Sequence, residues 1–382
     1  MNKKSLFSYQ NSLFRNPLEI AGGLLPDDKA LKKSLEFKAD ESFINLLNRL
    51  NITLFITREY EHLILALTSG KNQIKQSFYP LPHPSGLAIR NNGLVVASTR
   101  NPNQIVEFLP AKYYMSRVED KENNTEDKIM MPARSKFYAG AYYFHDLAYI
   151  GEDLYGNSVG QNGVVKIDFN RNESDEVVWS PLPYEKLLKH GNYLQLNSIA
   201  AGKSIEESFF SASAAHPGKR RPGHRNFPVD KRGVIFSGKG EVIATELTRP
   251  HSARMHKEKI WVNNSGYGSF GFIKDGEYTP FAHFPGWTRG LHFVDNIAFV
   301  GISRVLERFE NYAPGLKGKK SISAIFAINT QTGIVEGKIE FPNGNQIFGI
   351  ESMSKNISQG FLFKNTKTNT NRIKSHFYKY KI

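Results

Sequence analysis

From about residue 52 onward, apolar residues fall in short runs broken by Gly, Asn, Asp and Pro. ITLFITRE, HLILALTS, GLVVAST, GVVKIDF, GVIFSG, KIWVNNS, IAFVGIS, AIFAINT and GFLFKN are dense in β-branched and aromatic residues. That pattern predicts strands. Helical spacing appears mainly near residues 27–50, around ALKKSLEF and ESFINLLNRL.

One small unit recurs along the chain. A variable residue is followed by a small or turn-forming residue, an aliphatic residue or Ala, a turn, and a second strand. The units are PSGLAIRNNGLVVAST, FHDLAYIGEDLYGNSV, LNSIAAGKSIEESFFSASAA, PHSARMHKEKIWVNNSG, TRGLHFVDNIAFVGIS and IFGIESMSKNISQGFLFKN. The variable residue is Ser85, His145, Asn197, His251, Arg289 and Phe348 in turn. The spacing, roughly 53 residues, lies in the range of blade-type repeats. GVIFSGKGEVIATEL and AIFAINTQTGIVEGKIEF supply third and fourth strands. Four antiparallel strands repeated six times predict an all-β, six-bladed β-propeller over residues 51–382, preceded by a short helical N-terminal extension over residues 1–50.

The ends of the chain bear on closure. The last repeat has first and second strands within 347–365 and little β-pattern afterwards, whereas 52–58, 62–68 and 73–79 are spare strands. N-terminal strands are therefore expected to complete the last blade, leaving no open sheet edge. Gly266, Gly268 and Gly271 spell G-x-G-x-x-G. A dinucleotide fingerprint needs a helix next, to hold the pyrophosphate at its N-terminus. Here FIKDGEYTPF follows, which predicts a strand, so the glycines are expected to serve a tight crossing between strands two and three.

Three insertions interrupt the repeats: a polar one at 110–136, a basic one at 215–232 (HPGKRRPGHRNFPVDKR) and one at 304–320. In a propeller, the starts of first strands and the ends of second strands gather at one channel mouth. The loops at 215–232 and 304–320 join second to third strands and are expected to border that mouth. The 110–136 loop belongs on the opposite face.

Composition narrows the chemistry. The 382 residues contain no Cys, which excludes disulfides, thiolate metal sites and Cys nucleophiles. The formal net charge is +14, a surface that attracts phosphate, sulfate or carboxylate unless it only reflects a Lys- and Asn-rich composition. MNKKSLFSYQNSLF lacks an unbroken apolar core, so neither a signal peptide nor a membrane helix is read, and a cytoplasmic location is expected.

At the mouth, strand alternation adds His83 beside Ser85. His83, His145 and His251 are candidate ligands for a divalent transition metal, with Asn197 between the last two. The alternative is that each histidine hydrogen-bonds backbone or water in a polar channel. His251 and His256 fail strand parity, and HSARMH is no H-E-x-x-H zinc helix. Arg100, Arg289 and Arg304, with Asn157, Asn197 and Asn264, are candidate ligand-binding residues, since guanidinium grips carboxylate, sulfate or phosphate in bidentate fashion. Glu307 and His145 are the candidate acid–base residues. There is no Walker loop or G-x-S-x-G elbow.

HPSGLAI (83–89), HDLA (145–148), PHSARMH…IWVNNSGYGSFG (250–271) and GWTRGLHFVDNIAFVGIS (286–303) resemble a bacterial family of conserved hypothetical proteins. That family's pattern reads HPxG-Leu-Ala, HDLA, PHSPRWH…LW..NSGTGELG and RGLAF…VGLS. Here Ala253, Met255, Tyr267 and His292 depart from it, while His251, Asn264 and Arg289 stay in place. The resemblance covers roughly residues 45–355. It implies a propeller similar to those of sugar-lactone hydrolases and NHL-type proteins, and it implies no reaction.

Two functions compete. One is a mouth that binds a small anionic ligand, such as an acidic sugar or a sulfated or phosphorylated metabolite, with metal-assisted hydrolysis or elimination. The other is a non-catalytic interaction propeller that docks a protein or polyanion on the mouth and the 215–232 loop. Nucleic acid is disfavoured, since the basic stretch has one nearby aromatic, Phe227.

Overall fold

The structure is a computed structural model. It describes residues 28–382 except 101–102, 112–114, 117–127, 172–174, 184–190, 362, 365–375 and 378–382. The N-terminal 27 residues and most of the polar 110–136 insertion therefore lie outside the described residues.

Six four-stranded antiparallel sheets form the ring. The first blade is β4 (Pro84–Arg90), β5 (Gly93–Ser98), β6 (Gln104–Pro110) and β7 (Met130–Phe137). The second is β8 (Phe144–Ile150), β9 (Asp153–Ser158), β10 (Gly163–Ile167) and β11 (Val177–Trp179). The third is β12 (Leu196–Ala200), β13 (Phe209–Ala212), β14 (Gly233–Ser237) and β15 (Val242–Leu247). The fourth is β16 (Pro250–His256), β17 (Lys259–Asn264), β18 (Ser269–Lys274) and β19 (Glu277–His283). The fifth is β20 (Trp287–Val294), β21 (Ile297–Ser303), β22 (Ala324–Asn329) and β23 (Val335–Glu340).

The sixth blade closes the ring. Its inner strand β24 (Gly349–Ser354) pairs with β1 (Ile52–Arg58), in register from Thr57↔Gly349 to Ile52↔Ser354. β2 (Leu63–Ser69) and β3 (Ile74–Pro80) complete it. All three outer strands are thus N-terminal. The GFLFKN segment, expected as the second strand, is instead a two-residue strand (Phe363–Lys364) laid outside β3. β1 is a seven-residue run buried along its whole length, and it takes the place beside β24 that GFLFKN was expected to fill.

The core lies between blades. Alternate residues of one strand face opposite neighbours. Leu54 and Ile56 pack toward the fifth blade with Phe299 and Ile325, while Phe55 packs toward the first with Leu87 and Leu94. Helix α2 (Glu41–Leu50), after α1 (Asp28–Ser34), adds Phe43, Leu46 and Leu47 to that fifth–sixth wedge. Lys38–Ala39 pairs with β23. The described part of the N-terminal extension is therefore built into the propeller body.

The G-x-G-x-x-G run leads into β18, a strand. Gly268 has φ +61°, and a Cβ there would stand 2.6 Å from the Phe284 carbonyl oxygen. The turn needs a residue that is both left-handed and bare.

Candidate functional site

A repeated backbone device aims side chains into the mouth. His83, Tyr143, Gln195 and Arg249 each precede the inner strand of their blade, and each has positive φ. The inner strands of all five of the first blades then carry a register shift within their first residues. Non-glycine residues held left-handed at a bulge are characteristic of functional rims. The residue two places before each variable position is His83, Tyr143, Gln195, Arg249, Trp287 and Gln346 in turn.

Arg289 lies at the centre of the contacts. Its guanidinium carbon is 4.0 Å from the centroid of Phe348 and 5.2 Å from that of Trp287. Its Nη2 is 3.3 Å from His251 Nε2. With its amide oriented to suit its neighbours, Gln346 accepts from Arg289 and donates to Glu59 Oε2 at 3.1 Å. Glu59 Oε1 is 3.5 Å from Arg100 and 3.9 Å from His83 Nδ1. His83 donates its backbone N–H to His62 Nδ1 at 3.1 Å, and the two rings meet edge to face at 4.3 Å.

Arg249 is the second buried guanidinium. It donates to Gln195 and, at 3.4 Å, to the Pro222 carbonyl, and lies 4.2 Å from the Tyr312 ring. No carboxylate acts on it among the described residues. Burial, the first cause, and the Arg289 charge lower its pKa to about 10. Arg249 Nε, Arg289 Nε, Trp287 Nε1 and His145 Nδ1 are buried with no protein partner.

The histidines are held neutral. Burial first, then Arg289 and Arg249, depress His145 to about 3 and His251 well below its usual value. Burial, His62 and Arg100 bring His83 to about 3. Glu59 moves the other way: burial raises it, while Arg289, Arg100, Arg308 and Gln346 pull it down.

Two loops roof the mouth, as their second-to-third strand positions require. Phe227 and Val229 of the 215–232 loop pack with Trp287, Phe309, Tyr312 and Leu316. Tyr312 donates to the Gly223 carbonyl at 3.0 Å. Arg308 lies over Tyr60 at 4.9 Å.

Of the residues singled out in the sequence, Arg100, His145, Asn197, His251 and Arg289 enter this cluster, with His83 at its Glu59 side. The Asn197 amide stands beside the His145 ring and donates to the Pro250 carbonyl at 2.9 Å. The others do something else. Asn157 accepts from the Asp146 N–H at 2.5 Å, and Asn264 from the Thr248 N–H at 2.7 Å, so both brace backbone. Arg304 donates to the Pro342 carbonyl at the rim. Glu307 is exposed on its loop, and the buried carboxylate of the mouth is Glu59.

The three histidines do not fit a metal site as they stand. His251 Nδ1 lies 2.8 Å from the Arg249 carbonyl, which only accepts, so Nδ1 carries the proton. Nε2 then accepts from Arg289. Both nitrogens are committed, one to a cation. Among the described residues no group of three His, Asp or Glu is arranged to hold a metal ion.

Glu59, Arg249, Trp287, Gln195 and Gln346 are site residues that the repeat alignment passed over. Four of the five, all but Glu59, sit two places before the variable position, where His83 was already noted.

The chain belongs to the family described as Domain of unknown function (DUF4915), whose model matches residues 41–360. No curated protein matches it. Among solved structures it is similar to a nidogen/laminin complex, at 7% identity over 79% of this chain and 98% of that one, with a TM-score of 0.52. It also matches a gluconolactonase from Xanthomonas campestris (13% identity, 77% and 86% covered, TM-score 0.43). A virginiamycin B lyase from Staphylococcus aureus matches at 13% identity, with 80% and 99% covered and a TM-score of 0.38. At such identities the likeness concerns the fold alone.

Proposed function

We propose that this member of the DUF4915 family binds a small anionic ligand at the roofed channel mouth. One observation carries the reading: Arg249 is a buried guanidinium with no carboxylate acting on it among the described residues. Burying a charge costs several kcal/mol unless it is paired. A ligand anion supplies the missing charge and meets the free donors of Arg249, Arg289 and Trp287. Asn197, Gln346 and His145 are suited to hydroxyl groups, and Phe348 and Trp287 give apolar walls. An acidic sugar matches that mixture of groups, and hydrolysis or elimination is the chemistry such a site would support.

Calorimetric titration of the full chain with D-glucuronate and sulfate tests this. Truncating one partner of a buried charge pair costs about 2–5 kcal/mol, so Arg249→Met and Arg289→Met should each weaken binding on the order of 30- to 5,000-fold. Affinity unchanged in both variants rejects the reading.

A second reading rests on a different observation. Lys219, Arg220 and Arg221 are exposed beside the mouth. Docking of a protein or polyanion there would be lost on neutralising these three and kept in Arg249→Met.

A further inference from the structure

Glu59 stands where the second strand of the closing blade ends and a single 3-10 turn, Glu59–Glu61, begins. Among the described residues it is the carboxylate that acts on Arg289, and it does so across the Gln346 amide. An anion on Arg289 would share one guanidinium with Glu59. Two negative charges at such a site do not both persist, and one takes a proton.

We infer that Glu59 is the proton-transfer group of the mouth: an anion settling on Arg289 is taken up together with one proton, which ends on Glu59. The inference rests on the anion-binding reading above. The proton comes from solvent, an O–H bond forms on the carboxylate, and no other bond changes. The occupied site then holds a carboxylic acid beside the ligand, able to give its proton to a leaving oxygen.

The groups facing Glu59 support this assignment over the alternatives. Arg100 and His83 face it from the first blade, Arg289 from the fifth, Arg308 from the 304–320 loop, and Tyr60 and Gln346 from its own blade. A guanidinium keeps its charge near neutrality. His83 and the nearby His145 titrate at about 3, too low to take the proton there. His62 is lowered by burial, and its Nδ1 already accepts the His83 N–H. Burial has already raised Glu59 from the ordinary carboxylate value.

The test is calorimetry of the full chain with D-glucuronate and sulfate at pH 6.5 and 7.5, each in two buffers of unlike ionisation heat. Wild type should take up about one proton per anion, with affinity falling about tenfold per pH unit. Glu59→Gln should bind with no proton uptake and a flat pH dependence. Anion bound by wild type without a proton overturns the inference, as does uptake that survives in Glu59→Gln. No heat with either anion overturns the binding reading itself. If Glu59→Gln does not fold, Arg100→Gln removes a cation 3.5 Å from the carboxylate. It must then move proton uptake to higher pH, and an unmoved profile overturns the inference.

Discussion

Arg249→Met and Arg289→Met make the same chemical change at two buried positions, yet they should differ in stability. Removing Arg249 leaves Gln195 and the Pro222 carbonyl short of a donor, a neutral loss of about 1 kcal/mol. It also relieves a buried charge that no carboxylate balances among the described residues. Removing Arg289 strips the balancing cation from Glu59. Across one side-chain amide, on the order of 6 Å at an effective dielectric of about 20, that attraction is worth about 3 kcal/mol. Arg289→Met should therefore be less stable than Arg249→Met by about 2–3 kcal/mol near pH 7.5, after Arg100 is allowed to compensate. The sign of the pH dependence follows from Glu59. Its folded carboxyl titrates above the ordinary carboxylate value of 4.5, mainly through burial, so the folded state holds the extra proton. Stability falls as pH climbs from 4.5 toward the folded value, and losing Arg289 moves that fall higher. Below pH 4.5 the gap between the variants should close. Urea unfolding at pH 4.5, 6 and 7.5 measures it. An Arg249→Met protein less stable than Arg289→Met at pH 7.5, or a gap that does not change with pH, refutes the charge account.

Three other outcomes are expected. His83 and His145 are neutral in the fold, with pKa values depressed to about 3, so their contribution is present above 6.5 and lost as pH falls from 6.5 toward 3; the double variant His83→Gln, His145→Gln should flatten the acid limb of the stability profile in thermal melts. Asp146 binds Arg254 at 2.6 and 3.1 Å and accepts the Ile199 N–H at 3.0 Å, so Asp146→Ala should cost about 3–5 kcal/mol in urea unfolding by stranding a buried guanidinium. Since His251 has both nitrogens committed, added zinc should show no tight site that His251→Ala removes, and chelator should leave anion affinity unchanged.

Much of the fold was legible because a blade repeats three checkable signals: an alternating strand, a short turn and a spacing. Even the closure could be argued, since a ring with spare strands at one end and missing ones at the other has one economical solution. GFLFKN was misread because strand pattern says that a segment pairs, not with which edge. β1, with Leu54, Phe55 and Ile56 all buried, fits between two neighbours, whereas the outer edge accepts a two-residue strand.

The site was less legible. Counting from the variable residue found His145, Asn197, His251 and Arg289, because those side chains face the channel on the inner strand itself. The residues two places earlier obey the same alternation that puts His83 beside Ser85, but the repeat pattern is anchored on the variable position and does not mark them; four of the six, His83, Tyr143, Gln195 and Arg249, are held left-handed. Asn157 and Asn264 show the opposite failure: they end second strands, but at those ends a short amide is worth more to an unpaired backbone N–H than to a ligand. Glu59 was hidden by closure. Its strand belongs to the sixth blade, so its place at the end of a second strand emerges only once β1 is paired with β24. The link from Glu59 through Gln346 to Arg289 crosses that seam. The step that joins the chain's two ends therefore also completes the charge arrangement of the mouth, and a ligand held by Arg289 and Glu59 together would stabilise the closed ring by mass action.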